Sequence, residues 1–162
     1  MKSPIHILYA TGNGNSRRLA KKLEQELNGE GFDAQKTNLS DLTADQLDEM
    51  QFTVWLISTW GEGDPPPDSD PFFQQLASRE KPLDHLVYSM VGLGDSCFTH
   101  YCGASVTLEE HLLRLGARQA MPSEKLDAFF MPGFREWKGR FLAMLHSKQT
   151  TLSIKDQHQT LG

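Results

Sequence analysis

Three clusters of small, hydroxylated, amide-bearing and aromatic residues stand out as able to do chemistry. The first is Thr11-Gly12-Asn13-Gly14-Asn15-Ser16. Two hydroxyls, two carboxamides and the N–H groups of a glycine-containing turn that opens a helix make a cradle for a phosphate. It matches neither common nucleotide loop. No Lys follows Gly14, as the phosphate-loop NTPases require, and Arg17 stands where the dinucleotide fingerprint has its third glycine. Arg17 and Arg18 fall in the first helical turn, where cations oppose the helix dipole. A bound phosphate dianion would relieve that conflict. Taken alone, the loop reads equally well as an ordinary turn with Ser16 as the helix cap.

The second cluster is Ser58-Thr59-Trp60-Gly61-Glu62-Gly63-Asp64-Pro65-Pro66. An indole at this place can cover one face of a planar ligand, and such stacking adds ~0.5–1.5 kcal/mol beyond area burial. Gly61 and Gly63 permit close backbone approach, and the prolines stiffen the loop exit. Taken singly, Trp60 reads instead as a core residue beneath a long loop. The third cluster runs from Leu93-Gly94-Asp95-Ser96-Cys97-Phe98 to Tyr101-Cys102-Gly103-Ala104. Phe98 is a second flat side chain, and Asp95 can accept a ring N–H. Cys97 and Cys102 lie five apart, which suits neither a C-x-x-C redox pair nor a zinc site, so one or both read as buried small hydrophobes. His100 reads as a surface or packing residue. No Ser-His-Asp arrangement or nucleophile elbow is present.

The elements that must position these clusters alternate regularly. Apolar runs at Ile5–Ala10, Phe32–Thr37, Phe52–Ser58, Leu86–Leu93 and Arg118–Leu126 read as strands. Helical spacing joins Leu19, Leu23 and Leu27 up to a stop at Gly29 and Gly31. It recurs at Phe72, Phe73 and Leu76, at Val106, Leu112, Leu113 and Leu115, and at Phe134, Trp137, Phe141 and Leu145. The stretch Leu39–Met50 reads as irregular or partly helical. Strand–helix alternation five times over implies an α/β fold: a doubly wound parallel sheet with helices on both faces. Ligands of such sheets sit at the carboxyl ends of the strands. Loops 11–16, 59–70 and 94–102 each follow a strand at that edge and are expected to meet at one site.

Composition narrows the function classes. At 162 residues the chain fits one domain, here 1–146, followed by a polar tail or linker remnant over 147–162. With 38% hydrophobic and 23% charged residues it is globular rather than disordered. Its 16 Lys and Arg against 21 Asp and Glu give a net charge of −5, which argues against nucleic-acid or anionic-membrane surfaces. No apolar run approaches the ~20 residues of a membrane span. There is no signal-peptide core, and only two cysteines are present, so a cytoplasmic location is expected.

The three loops together resemble the flavodoxins. Thr11-x-Asn13-Gly14-Asn15-Ser16 is similar to their phosphate loop, Ser/Thr-x-Thr-Gly-Asn/x-Thr. Ser58-Thr59-Trp60-Gly61 and Gly94-Asp95-Ser96-x-Phe98-x-x-x-Cys102-Gly103-Ala104 are similar to the two flavin-clamping loops of the short-chain members. Gly61-Glu62-Gly63-Asp64-Pro65-Pro66 is closer to the FMN domains of diflavin reductases such as the sulfite reductase flavoprotein. The resemblance covers residues 5 to about 146 and implies a flavodoxin-like five-stranded sheet of order 2-1-3-4-5. It implies that Thr11, Asn13, Asn15 and Ser16, with the backbone of Gly12 and Gly14, hold the FMN phosphate. Trp60 would cover the inner face of the ring and Phe98 the outer. Asp95 and nearby backbone would meet the pyrimidine edge, and Gly61 would lie near N5. Ser58, Thr59, Gly63, Leu93, Gly94, Tyr101 and Cys102 complete the implied contact set. Asn13 and Phe98 replace the usual Thr and Tyr, departures that leave FMN binding intact while redox potentials do not carry over.

The implied function is one-electron transfer through the flavin semiquinone and hydroquinone, by a monomeric carrier rather than a stand-alone enzyme. An NAD(P)H-dependent flavodoxin reductase, or a fused reductase domain, would be the donor and a redox enzyme the acceptor. Two alternatives are the FMN domain of a diflavin reductase and an FMN-dependent quinone or nitro reductase using NAD(P)H directly. Between Ser58 and Asp70 lie Glu62, Asp64, Asp68 and Asp70 with no Lys or Arg. Such a run is an ordinary solvated rim, or, around a flavin, a charge set opposing its anionic reduced form. One carboxylate ~10 Å away at an effective dielectric of ~20 costs about 1.7 kcal/mol. The same rim would steer a basic partner in a salt-sensitive way.

Overall fold

The computed structural model describes residues 3–160, with side-chain environments through residue 148. Four strands, β1 (Ile5–Ala10), β2 (Ala34–Asn38), β3 (Phe52–Ser58) and β4 (Val87–Leu93), run parallel in the spatial order β2-β1-β3-β4. Beyond β4 come two short strands, β5 (Arg118–Gln119) and β6 (Glu124–Leu126), each parallel to it. The expected order is therefore found, but the expected single strand over Arg118–Leu126 is divided. The Ala120 N–H still donates to the Tyr88 carbonyl (2.8 Å), and residues 121–123 then leave the ladder around Pro122, which has no N–H to contribute. There the Glu109 carboxylate draws in Gln119 Nε2 (3.3 Å), the Ser123 hydroxyl and the buried Tyr88 hydroxyl (2.9 Å).

Register fixes where the loops emerge. Ala10 pairs with Ile57, Ser58 with Leu93, and Leu93 with Leu126. The carboxyl ends of β1, β3, β4 and β6 thus line one edge. Side chains alternate between the faces. Leu8, Ala10, Trp55, Ile57, Tyr88 and Met90 join one apolar cluster with Phe72, Phe73 and Leu76 of α2 (Asp70–Ser78) and Leu108 and Leu112 of α3 (Gly103–Arg114). Their neighbours Ile7, Val54 and Leu56 are buried toward the other face, where α1 (Asn15–Gly29) packs on β1 and β3. α1 lays down Leu19, Ala20, Leu23 and Leu27 there, each large side chain contributing roughly 1.5–3 kcal/mol. Leu113, counted with the apolar face of α3 in the sequence, is instead 53% exposed, because it lies a ~100° step around the helix from Leu112.

The stretch between β2 and β3 forms two 3-10 turns, Leu39–Asp41 and Ala44–Glu49. Buried Arg79 ties the second of these to the end of α2, donating to the Ala44 and Lys81 carbonyls (3.0 and 2.9 Å) and to the Asp48 carboxylate.

Residues up to Phe129 form one compact unit, and those from Phe130 a second. The second contains α4 (Met131–Thr160), along which Phe134, Trp137 and Phe141 stack at centroid separations of 5.8 and 4.9 Å. The backbone of the stretch read as a polar tail from residue 147 is helical to Thr160. Residues 161–162 of that stretch lie outside the described residues. Among the described residues no helix is long and apolar enough to cross a membrane.

Candidate functional site

The first loop leaves β1 and is shaped by its own side chains. Thr11 Oγ1 accepts the Gly14 N–H (2.7 Å), and Asn13 Oδ1 accepts that of Asn15 (3.2 Å). Gly14 sits at φ +89°, a left-handed conformation that favours glycine, and its carbonyl takes the Arg18 N–H (3.1 Å) to start α1. The first-turn N–H groups that precede that bond have no intrahelical acceptor. No acidic residue occupies this turn, which carries Arg17 and Arg18 on its exposed side. Ser16 is buried, its hydroxyl 2.6 Å from that of Ser58 at the end of β3, so the first two loops are joined at their roots.

The second loop closes tightly. The Trp60 N–H donates to the Asp64 carbonyl (2.7 Å) and the Asp64 N–H to the Trp60 carbonyl (3.0 Å), around Gly61 at φ +54° and Gly63 at φ +127°. Trp60 is 51% exposed and not a core residue. Its indole lies against the first loop: a Cβ at Gly12 would fall 2.7 Å from Trp60 Cε3. Glycine at position 12 is thus the residue that lets the indole settle there.

The third loop is pinned at both ends. The Thr59 N–H donates to the Leu93 carbonyl (2.9 Å), and Thr59 Oγ1 accepts the Ala104 N–H at the start of α3 (3.2 Å). A Cβ at Gly103 would lie 2.7 Å from Gly63 Cα, and one at Gly63 would lie 2.8 Å from His100 Cβ, so the second and third loops touch backbone to backbone. Within the loop, Asp95 accepts the Cys97 N–H through its carboxylate (2.9 Å) and the Phe98 N–H through its carbonyl (3.1 Å). Phe98 is 39% exposed. All three loops therefore converge, with an exposed indole on the second, lying over the first, and an exposed phenyl on the third.

Not every residue expected at the site offers its side chain. Leu93 and Cys102 are buried, and the Cys102 thiol turns inward toward the Leu126 carbonyl (3.9 Å), so each offers backbone only. Burial pushes that thiol up to about 11. Tyr101 is half-buried, and desolvation pushes its hydroxyl up to about 12. Cys97 is exposed, and its thiol is raised by the Asp95 carboxylate beside it. The carboxylates of Glu62, Asp64, Asp68 and Asp95 are exposed, whereas Asp70 is half-buried and takes a hydrogen bond from Gln74 Nε2 (2.6 Å). Among the described residues no group of His, Cys, Asp and Glu is arranged to hold a metal ion.

Sequence reasoning missed Asp127 as part of the assembly, while His100, read as a surface or packing residue, is exposed and packs against Gly63. Asp127 accepts both the N–H (3.1 Å) and the hydroxyl of Ser96. The rule that strand ends meet at this edge points to it, since it directly follows β6. The residues present fit a flat aromatic ring with an anionic tail: a helix start with N–H groups for the tail, an indole that tolerates only glycine beneath it, and a second exposed ring.

The chain is similar to known proteins in sequence and fold. The flavodoxin family profile matches residues 7–160. NADPH oxidoreductase A of Dictyostelium discoideum is 36% identical over 118 residues, 72% of this chain and 19% of that protein. The sulfite reductase [NADPH] flavoprotein alpha-component of Shewanella sp. (strain MR-4) is 28% identical over 152 residues, 93% of this chain and 25% of that protein. The chain thus spans a quarter or less of the length of these two relatives. Among solved structures, a Streptococcus pneumonia TIGR4 flavodoxin superposes with a TM-score of 0.78 at 23% identity, covering 90% of this chain and 99% of that one. Flavodoxin 1 of Bacillus cereus gives 0.76 at 20% identity, covering 90% and 98%. The fold, the three convergent loops and the family match agree: this chain belongs to the flavodoxin family of FMN-binding electron-transfer proteins.

Proposed function

We propose that this chain carries electrons one at a time between an NAD(P)H-dependent reductase and an acceptor enzyme, with FMN held by the three loops. FMN, when bound, supplies the redox chemistry, taking up and releasing electrons singly. Thr11, Asn13, Asn15 and Ser16, with the backbone of Gly12 and Gly14, hold its phosphate. Trp60 and Phe98 flank its ring and keep water from it. Asp95 with the backbone of Gly94 and Leu93 meets the pyrimidine edge, and Gly61 and Gly63 let the second loop approach closely. Thr59 and Ser58 brace that loop, while Tyr101 and Cys102 brace the third. The observation that carries this reading is the half-exposed Trp60 lying on Gly12, an aromatic left in solvent against a phosphate-type loop.

The carboxylates at Glu62, Asp64, Asp68 and Asp70 form a docking rim for a basic donor. That partner is a flavodoxin reductase, or a reductase domain of the same polypeptide; matches to long NADPH-linked relatives favour the latter. Residues 1–146 act as the FMN domain, monomeric and cytoplasmic, a reading its two free thiols support. Addition of FMN to purified protein gives one bound flavin per chain, and the loaded protein oxidises no NAD(P)H until a reductase is added, at a rate falling with salt. Folded protein that takes up no FMN overturns the proposal. NAD(P)H oxidation without a reductase replaces it with the quinone-reductase alternative.

A further inference from the structure

We propose that Asp127, which belongs to none of the three loops, is the positioning residue of the third loop and sets where Phe98 stands over the site. The inference rests on the FMN-binding role of that loop given above. Both ends of a short stretch are stitched to the exit of β6. The Gly94 N–H donates to the Leu126 carbonyl (3.0 Å), and two residues later Asp127 takes both polar hydrogens of Ser96, the N–H at 3.1 Å and the hydroxyl. A third bond, from the Ala128 N–H (2.7 Å), orients the carboxylate itself. Beyond Ser96 the chain folds on Asp95, which accepts the Cys97 and Phe98 N–H groups. The segment Gly94–Phe98 is therefore one hydrogen-bonded turn whose anchor lies outside it.

The far end has its own anchors, at Gly103 against Gly63 and at the Ala104 N–H on Thr59 Oγ1. Gly94, Asp95, Ser96, Cys97 and Phe98 are half-buried or exposed, so apolar packing does little to fix this turn. The Ser96–Asp127 pair is the polar contact left to do it. Charge-assisted bonds are the stronger kind, and they hold the Asp127 carboxyl below the usual carboxylate range. An asparagine can keep the geometry: its carbonyl accepts the Ser96 N–H, and its amide donates to the Ser96 hydroxyl, which turns to accept.

The test compares Asp127→Ala, Asp127→Asn, Ser96→Ala and the double Ser96→Ala/Asp127→Ala with the unaltered chain. Amide hydrogen exchange of residues 96–98 is read without FMN, and the dissociation constant with FMN. Asp127→Ala is expected to speed exchange at 96–98 and weaken FMN binding, each by about tenfold, the scale of one charge-assisted hydrogen bond in an exposed setting. Exchange in β4 stays unchanged, Asp127→Asn restores most of both, and the double variant is no worse than Asp127→Ala. Unchanged exchange at 96–98, independent addition of the two single effects, or faster exchange with undiminished FMN affinity overturns it. A slowing of neither reading by Asn likewise overturns it. Should the unaltered chain take up no FMN, the exchange readings still decide whether Asp127 anchors the turn, while the flavin reading falls separately.

Discussion

The contact between Gly103 and Gly63 makes a quantitative demand on the second and third loops. In Gly103→Ala the new Cβ would stand 2.7 Å from Gly63 Cα, 3.0 Å from its carbonyl oxygen and 3.3 Å from its carbonyl carbon. Ordinary carbon–carbon separations are about 3.5–4.0 Å, so the loops must part by roughly 1 Å. These neighbours are backbone atoms and cannot swing aside. Gly63 is held by the Trp60–Asp64 pair and sits at φ +127°, where few other conformations are open to it. Overpacking of this kind costs about 1–3 kcal/mol, against a gain of up to ~1 kcal/mol for alanine over glycine in a helix. With the full helix gain offset, the net loss is up to about 2 kcal/mol, or up to roughly thirtyfold in FMN affinity if it falls on the binding geometry. Urea unfolding of the FMN-free protein and titration by flavin fluorescence quenching divide the loss between folding and binding. Gly29→Ala is the matched control, since nothing lies within 4 Å of its Cβ, and it should stabilise by up to ~1 kcal/mol without touching FMN affinity. If Gly103→Ala behaves like that control, the two loops do not meet as described.

Three further outcomes follow from other contacts. Neutralising the rim in Glu62→Gln/Asp64→Asn should raise the potential at which the second electron enters by tens of millivolts; no rise in a redox titration removes the electrostatic role of the rim. In native protein at pH 8 only Cys97 should react with a thiol reagent, and Asp95→Asn should quicken it by lowering the thiol toward its ordinary value; equal reaction of Cys97 and Cys102 contradicts their placement. Asp48 is held below its ordinary value of 3.8 by hydrogen bonds from Arg79 and Lys81. Its contribution is therefore complete above that value and lost as pH falls through the lower folded one. Arg79→Met should flatten this acid-side loss and cost about 1–3 kcal/mol, the scale for leaving the Ala44 carbonyl buried without its donor. Equal acid sensitivity in pH-dependent urea melts would refute the assignment.

The strands that run straight through the core were legible from residue types alone. Ile5–Ala10 and Phe52–Ser58 are apolar but for His6, Thr53 and Ser58 because both their faces are covered, and the structure gives them those same bounds. The edge strand was expected to run unbroken past Pro122, a residue that cannot join the ladder, and the draw of Glu109 on Ser123 acts across residues distant in sequence. The same holds for Asp127, whose bond to Ser96 spans 31 positions and leaves no periodic trace. That at least one cysteine is buried was legible, but not which: Cys97 lies on an exposed turn, while Cys102 takes φ +56° at the start of α3 and turns inward. The glycines were readable as permissive positions, but which partner each admits, Trp60 over Gly12 or Gly63 beside Gly103, is decided only by the loops' meeting.

The broken outer strand also governs how the sheet behaves toward other chains. A foreign strand seeking to extend the sheet beyond β5 and β6 would find a ladder of Arg118–Gln119, a gap carrying Pro122, then Glu124–Leu126. Neither piece offers the run of unpaired N–H and C=O groups that templated aggregation needs. At the opposite border β2 presents exposed Gln35 and Lys36, polar side chains poorly suited to an intruder. Concentrated solutions should therefore resist fibril growth from either flank, and replacing Pro122 with a β-branched residue is the change most apt to reopen one of them.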